Sequence, residues 1–161
     1  MTESAVAVSN LIARYAELID LGDFDAVADL LGDAAVGEGA AGEGEGEAGD
    51  RTPSARLLTG RDAILAMFTS TTRRYPDGTP GTKHVTTNLI LDIDEEAGRA
   101  AARTYWTVLQ AVPGLPLQPI LAGRYHDRFE RLGGTWRFSE RRYLIDLVGD
   151  VSRHMLSNIP T

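Results

Sequence analysis

From residue 82 to about residue 146 the chain is almost wholly extended sequence, interrupted only by short turn signals. One run covers 82–94 and ends in the acidic turn Asp94-Glu95-Glu96-Ala97-Gly98. A second goes from Arg99 to Gln110 and is broken by Pro113-Gly114-Leu115-Pro116. A third covers about 117–131. Gly133-Gly134 reads as a tight hairpin turn before a last long strand from Thr135 to Asp146. Hairpin-linked strands in succession imply an antiparallel meander. Such a sheet needs a second layer over one face, and only the N-terminal half is left to supply it.

That half is helical in pattern. Val8, Leu11, Ile12, Tyr15, Leu18 and Ile19 recur at helical spacing and make one apolar stripe. Gly22 is a stop signal just past Asp20 and Leu21. Asp23 then caps a shorter helix whose apolar face is Phe24, Val27, Leu30 and Leu31. Thr59 and Asp62 have capping-box spacing ahead of a third helix carrying Ile64, Leu65 and Phe68. The segment from Tyr75 to Gly81, with two prolines and two glycines, must turn. Three helices on one face of an antiparallel sheet make an α+β, two-layer architecture. With 161 residues and no internal repeat, one domain over 1–161 is expected.

The stretch from Gly37 to Asp50 alternates glycine, alanine and acids and cannot bury apolar surface. It reads as part of a Gly/Glu-rich loop or hairpin tip over 37–53, inserted between two edge strands. A calcium-loop reading fails, because such loops space oxygen ligands around one obligatory glycine turn.

Composition removes whole classes of function. There is no cysteine, so disulfides, thiolate zinc sites and cysteine nucleophiles are excluded. A formal net charge of −7 offers no cationic footprint for nucleic acid or anionic membranes. The N-terminus lacks a basic region followed by an apolar stretch, and no run of about 18 apolar residues exists anywhere. A cytoplasmic location is the expectation.

Three histidines are present. His84 opens a strand, and alternation puts His84, Thr86 and Asn88 on one face unless a bulge intervenes. His126 shares a face with Arg124 and Arg128, opposite Tyr125, Asp127 and Phe129, and is read as outward-facing. His154 lies in the C-terminal tail and is read as peripheral. Asp20 ends the first helix, where the helix dipole disfavours an anion. A cationic or hydrogen-bonding partner would explain it. Tyr15 lies five residues earlier, about 500° of helical rotation, on the same broad side.

Several stretches together carry a family resemblance. The run from Arg14 to Asp25 resembles the first-helix signature of SnoaL-like proteins, in the nuclear transport factor 2-like superfamily. So do Lys83-His84 with Asn88, the run from Gly123 to Arg131, and Trp136-Arg137-Phe138 with Arg141-Arg142. The resemblance implies a cone-shaped fold, with three N-terminal helices on a strongly curved antiparallel sheet around a deep pocket. It implies a dehydratase-like site in which a first-helix aspartate pairs with a sheet histidine. Asp20 and His84 match those two positions, and Tyr15 matches a pocket tyrosine of the bile-acid dehydratases. Arg141 or Arg142 falls near a late-strand arginine of those enzymes.

The expected catalytic residues are therefore Asp20, His84 and Tyr15, with Asn88, Trp106, Arg142 and Phe68 binding substrate. Arg142 has two readings, holding an anionic substrate group or pairing with Asp127 on the neighbouring strand. A carboxylate on one imidazole nitrogen fixes the tautomer and stabilises the imidazolium, leaving the other nitrogen as a base. The expected activity is that of a lyase or isomerase without metal or cofactor, acting on a hydrophobic small molecule. A polyketide cyclase and a non-catalytic binding module are the alternatives. The broad outer sheet of this fold implies a homodimer or homotrimer.

Overall fold

A computed structural model describes residues 2–39 and 57–156. Helix α1 (Glu3–Leu21) is capped by the Thr2 side chain, which accepts from Ala5 N. Gly22 ends it in the left-handed region at φ 71°, its N–H reaching back to Leu18 O and Ile19 O. The Gly78 carbonyl lies where a Cβ of residue 22 would stand. Glycine is therefore required on both steric and conformational grounds, and it stops the helix two residues after Asp20. Helix α2 (Phe24–Leu31) starts at Asp23, whose carboxylate accepts from Ala26 N as the sequence predicts.

The strands are β1 (Ala35–Glu38), β2 (Leu58–Thr59), β3 (Thr82–Asp94), β4 (Arg99–Val112), β5 (Leu115–Leu132) and β6 (Thr135–Val148). Helix α3 (Arg61–Thr71) lies between β2 and β3. The predicted capping box is not formed. Thr59 sits in β2, and Gly60 takes the N-cap position with no side-chain bond. The β4–β5 turn is also tighter than expected, so that Leu115 and Pro116 already belong to β5.

The strands form one six-stranded sheet in the order β2-β1-β6-β5-β4-β3. β3 to β6 are the expected antiparallel meander. The sheet as a whole is mixed, because β1 runs parallel to β6. Of the Gly/Glu-rich stretch, Gly37 and Glu38 belong to β1, opposite Arg142 and Tyr143; residues 40–56 lie outside the described residues.

One face of the sheet carries the core. Alternate residues Ala100, Ala102, Trp106 and Val108 of β4 and Tyr125 and Phe129 of β5 are buried. The helices bring Ile12, Tyr15, Ile19, Phe24, Val27, Leu31, Ile64 and Phe68 against them. Burying one such side chain contributes roughly 1.5–3 kcal/mol, so this cluster dominates folding. Register shifts interrupt the β3–β4, β4–β5 and β5–β6 ladders. Bulges of this kind bend strands, giving a curved sheet. Gly123 lets β5 crowd against its two neighbouring strands. A Cβ there would strike the Leu144 carbonyl and the Trp106 ring.

Candidate active site

At the end of α1 the Asp20 carboxylate is buried, 8% exposed. It accepts three hydrogen bonds from the start of β3. Thr82 Oγ1 donates to Oδ1 at 2.8 Å, and His84 N donates to Oδ2 at 2.8 Å. The His84 ring places Nδ1 2.7 Å from Oδ1. Burial opposes ionisation of Asp20. The His84 hydrogen bond and charge, with Thr82, outweigh it and hold the carboxyl below its usual range. These donors also answer the helix dipole. An ionised Asp20 only accepts, so Nδ1 carries the hydrogen and Nε2 is left with the lone pair.

A second polar group lies further along the same face. Arg141 and Asp127 are fully buried and joined by two bonds, Nε to Oδ1 at 2.8 Å and Nη2 to Oδ2 at 2.7 Å. The guanidinium carbon sits 4.1 Å from the ring centres of both Tyr15 and Tyr125 and 4.8 Å from that of Phe138. The Tyr15 hydroxyl donates to Tyr143 Oη at 3.4 Å. Burial raises the pKa of Tyr15, and those of Tyr125 and Tyr143 further, so all three keep their protons. Burial also pushes the Asp127 carboxyl up, against the pull of Arg141. The two-pronged contact with Arg141 favours the ionised carboxylate against that push.

Trp106 links the two groups. It stacks on Tyr125 at 5.5 Å and stands opposite Thr86, two residues from His84. Its Nε1 and the hydroxyls of Thr86 and Thr104 are buried without a hydrogen-bond partner among the described residues. Phe68 on α3 meets Tyr15 at 6.3 Å and Phe24 at 5.9 Å, forming part of the helical wall.

The structure thus brings together Asp20, His84, Tyr15, Trp106 and Phe68 on one side of the sheet. It leaves out Asn88 and Arg142. Asn88 sits in the bulge between Thr87 and Ile90, at φ 55° and exposed, where alternation from His84 is broken. Asparagine is among the residues that tolerate that conformation. Arg142 stands opposite His126 on the outer face and donates to Glu140 at 2.7 Å. The cause is another bulge: Phe129 pairs with Phe138 but Arg128 pairs with Glu140, so Ser139 is extra. The slip turns Arg141 inward, and Arg141 is the residue paired with Asp127. Each of these differences traces to a one-residue slip in an alternating strand.

His154 is the largest departure from the sequence reading. It is 7% exposed, not peripheral. Its pKa falls to about 4, first through burial and then through the charge of His84, with Asp20 opposing. The sequence did hold a signal, since the apolar Val151, Met155 and Leu156 around it are what a docking segment needs.

Two surface hollows are lined by neither Asp20 nor His84. One is lined by Arg73, Tyr75, Ser152 and Arg153, the other by Ala7, Asn10, Leu11, Ala13, Arg14 and Glu17 of α1. Among the described residues no group of three or more acidic or histidine side chains is set to hold a metal ion. No helix among them is long and apolar enough to cross a membrane.

Comparison with known proteins gives the class. The chain belongs to the SnoaL-like domain family, which matches residues 1–142. Solved structures share the fold. A Mycobacterium tuberculosis protein of unknown function is 22% identical, with TM-score 0.65, covering 90% of this chain and 73% of its own. A candidate scytalone dehydratase from Novosphingobium aromaticivorans is 21% identical, with TM-score 0.64, over 91% of this chain and 87% of its own. The β subunit of a candidate aromatic-ring-hydroxylating dioxygenase from the same organism is 18% identical, with TM-score 0.65, over 89% and 90%. No curated protein matches the sequence.

Proposed function

We propose that this chain is a cofactor-independent lyase or isomerase that moves a proton on a hydrophobic small molecule bearing a carbonyl or hydroxyl group. The observation that carries this reading is the 2.7 Å contact between His84 Nδ1 and an ionised, three-fold hydrogen-bonded Asp20. Asp20 fixes the ring and stabilises the imidazolium, so Nε2 serves as the base. The proton removed from carbon returns from the same imidazolium to another carbon, giving isomerisation. Returned to a departing hydroxyl, it leaves as water. The aromatic surroundings of Trp106, Tyr125 and Tyr15 suit a ring system.

Proton abstraction is measurable without the natural substrate. In D2O, the α-hydrogens of 2-tetralone, a hydrophobic ketone, are expected to exchange faster with the protein than in buffer. His84→Ala is expected to lower that acceleration about 10²–10⁴-fold, and Asp20→Asn to follow it in direction. Equal exchange by wild type and His84→Ala would remove the dyad from the chemistry.

A partner-binding role is favoured by a different observation. Val85, Thr107, Ala122 and Leu147 form a row across the outer face, and Val85 and Leu147 are 43% and 68% exposed. The dioxygenase β subunit that shares the fold is by description one subunit of an assembly. We expect this face to be buried between copies of the chain. Sedimentation should show a dimer or trimer that Leu147→Glu shifts toward monomer; a monomeric wild type would refute this.

A further inference from the structure

Beyond β6 the chain turns back at 151–155, where His154 N and Met155 N each donate to Val151 O at 2.9 Å. Arg73 N donates to His154 O at 2.8 Å and Leu156 N to Thr71 O at 2.9 Å, fixing the turn to the end of α3. Arg153 O accepts from the Tyr75 hydroxyl at 2.6 Å and from Gln110 Nε2 at 3.2 Å. Gln110 stands opposite Thr82 in the β3–β4 ladder, and Thr82 is one of the donors holding Asp20. The turn is therefore built against the strand end that carries the dyad.

On this turn Ser152 and Arg153 are exposed and line a surface hollow, whereas His154 is buried. Its Nδ1 has no hydrogen-bond partner among the described residues. A buried polar atom left unpaired carries a penalty that a bound molecule's polar group relieves. The charged groups that act on the ring are His84 on β3 and Asp20 on α1. Burial, with the charge of His84, keeps the His154 ring neutral down to about pH 4.

We infer that His154 is a second imidazole of this site, one that hydrogen-bonds the oxygen of the bound molecule while His84 moves the proton. The inference rests on the proton-transfer reading for its role in the reaction. A neutral imidazole offers one N–H and one lone pair, which suits a ketone or alcohol oxygen. A carboxylate would call for an imidazolium, which this buried place beside His84 disfavours. The substrate class is accordingly a hydrophobic molecule with an uncharged oxygen next to the acidic C–H bond. When His84 Nε2 takes the proton, the C–H electron pair becomes the new carbon–carbon double bond and the carbonyl π pair moves onto the oxygen. His154 donates its N–H to the enolate that forms, and the imidazolium of His84 later gives the proton back.

Two measurements test this, and they fail separately. Imidazole resonances titrated by NMR are expected to place His154 near pH 4 in the wild type. Its midpoint is expected to rise in His84→Gln and to fall in Asp20→Asn. A midpoint near 6.5 in the wild type, or one unmoved by His84→Gln, overturns the inference whatever the activity. The second measurement is the exchange of 2-tetralone. His154→Leu is expected to lower it roughly ten- to hundred-fold, as loss of one oxygen-holding donor does. His154→Asn keeps a donor near the Nδ1 position and is expected to retain most of it. Equal rates in His154→Leu and the wild type overturn the oxygen-holding role. Absence of exchange in the wild type removes the proton-transfer reading, and with it that role, but leaves the coupling of the two rings for the titration to decide.

Discussion

Asp127→Ala is expected to remove a large share of the protein's stability at room temperature. The substitution leaves the Arg141 guanidinium fully buried with its two carboxylate bonds gone. Breaking a buried ion pair from one side costs about 3–5 kcal/mol, out of a total of about 5–15 kcal/mol for a domain. The rings of Tyr15, Tyr125 and Phe138 still face the cation and recover only part of this. Removing both charges is a different matter, because no uncompensated ion is left behind. Urea denaturation should show a large fall in midpoint for Asp127→Ala and a much smaller one for Asp127→Ala with Arg141→Met. If the single variant loses less than about 1 kcal/mol, the pair does not hold the fold together.

Acid is expected to weaken the fold through His154. In the unfolded chain this histidine binds a proton below its ordinary value of 6.5, whereas in the folded protein it does so only below about 4. Its neutral form therefore favours the folded state fully above pH 6.5, and that advantage drains away as the pH falls toward 4. Across this window the loss amounts to about 3 kcal/mol. His154→Leu has no such proton to bind, so its stability curve should be flatter over the same range. The difference between the two curves isolates this imidazole from carboxyls titrating nearby. Asp20 acts lower, because its depressed pKa preserves its contribution until the pH falls through its folded value. Parallel curves for wild type and His154→Leu between pH 6.5 and 4 would show that His154 is not buried neutral.

Much of this was legible from residue order alone. Long alternating strands with glycine turns left few options, and the four run boundaries fall within two residues of the observed strands. Asp20 near the end of a glycine-stopped helix and His84 near the start of a long strand were both readable in the residue order. Three things were hidden. The inward turn of Arg141 depends on one extra residue, Ser139, and alternation read straight through from Trp136 and Phe138 selects Arg142 instead. The exclusion of Asn88 has the same origin in β3. His154 depends on docking by a tail whose signal is only the scattered apolar Val151, Met155 and Leu156, without helical or strand periodicity.

The way that tail is fastened has a consequence for how such a site diversifies. The hydrogen bonds that moor it to Thr71, Arg73, Tyr75 and Gln110 all end on main-chain atoms of residues 153–156. A main-chain mooring is indifferent to which side chain the moored residue carries. The side chain at position 154 can therefore change while the fastening of the turn stays as it is, as does the Asp20–His84 contact inside the residues 1–142 that match the family. What the turn presents is thus separable from what holds it in place.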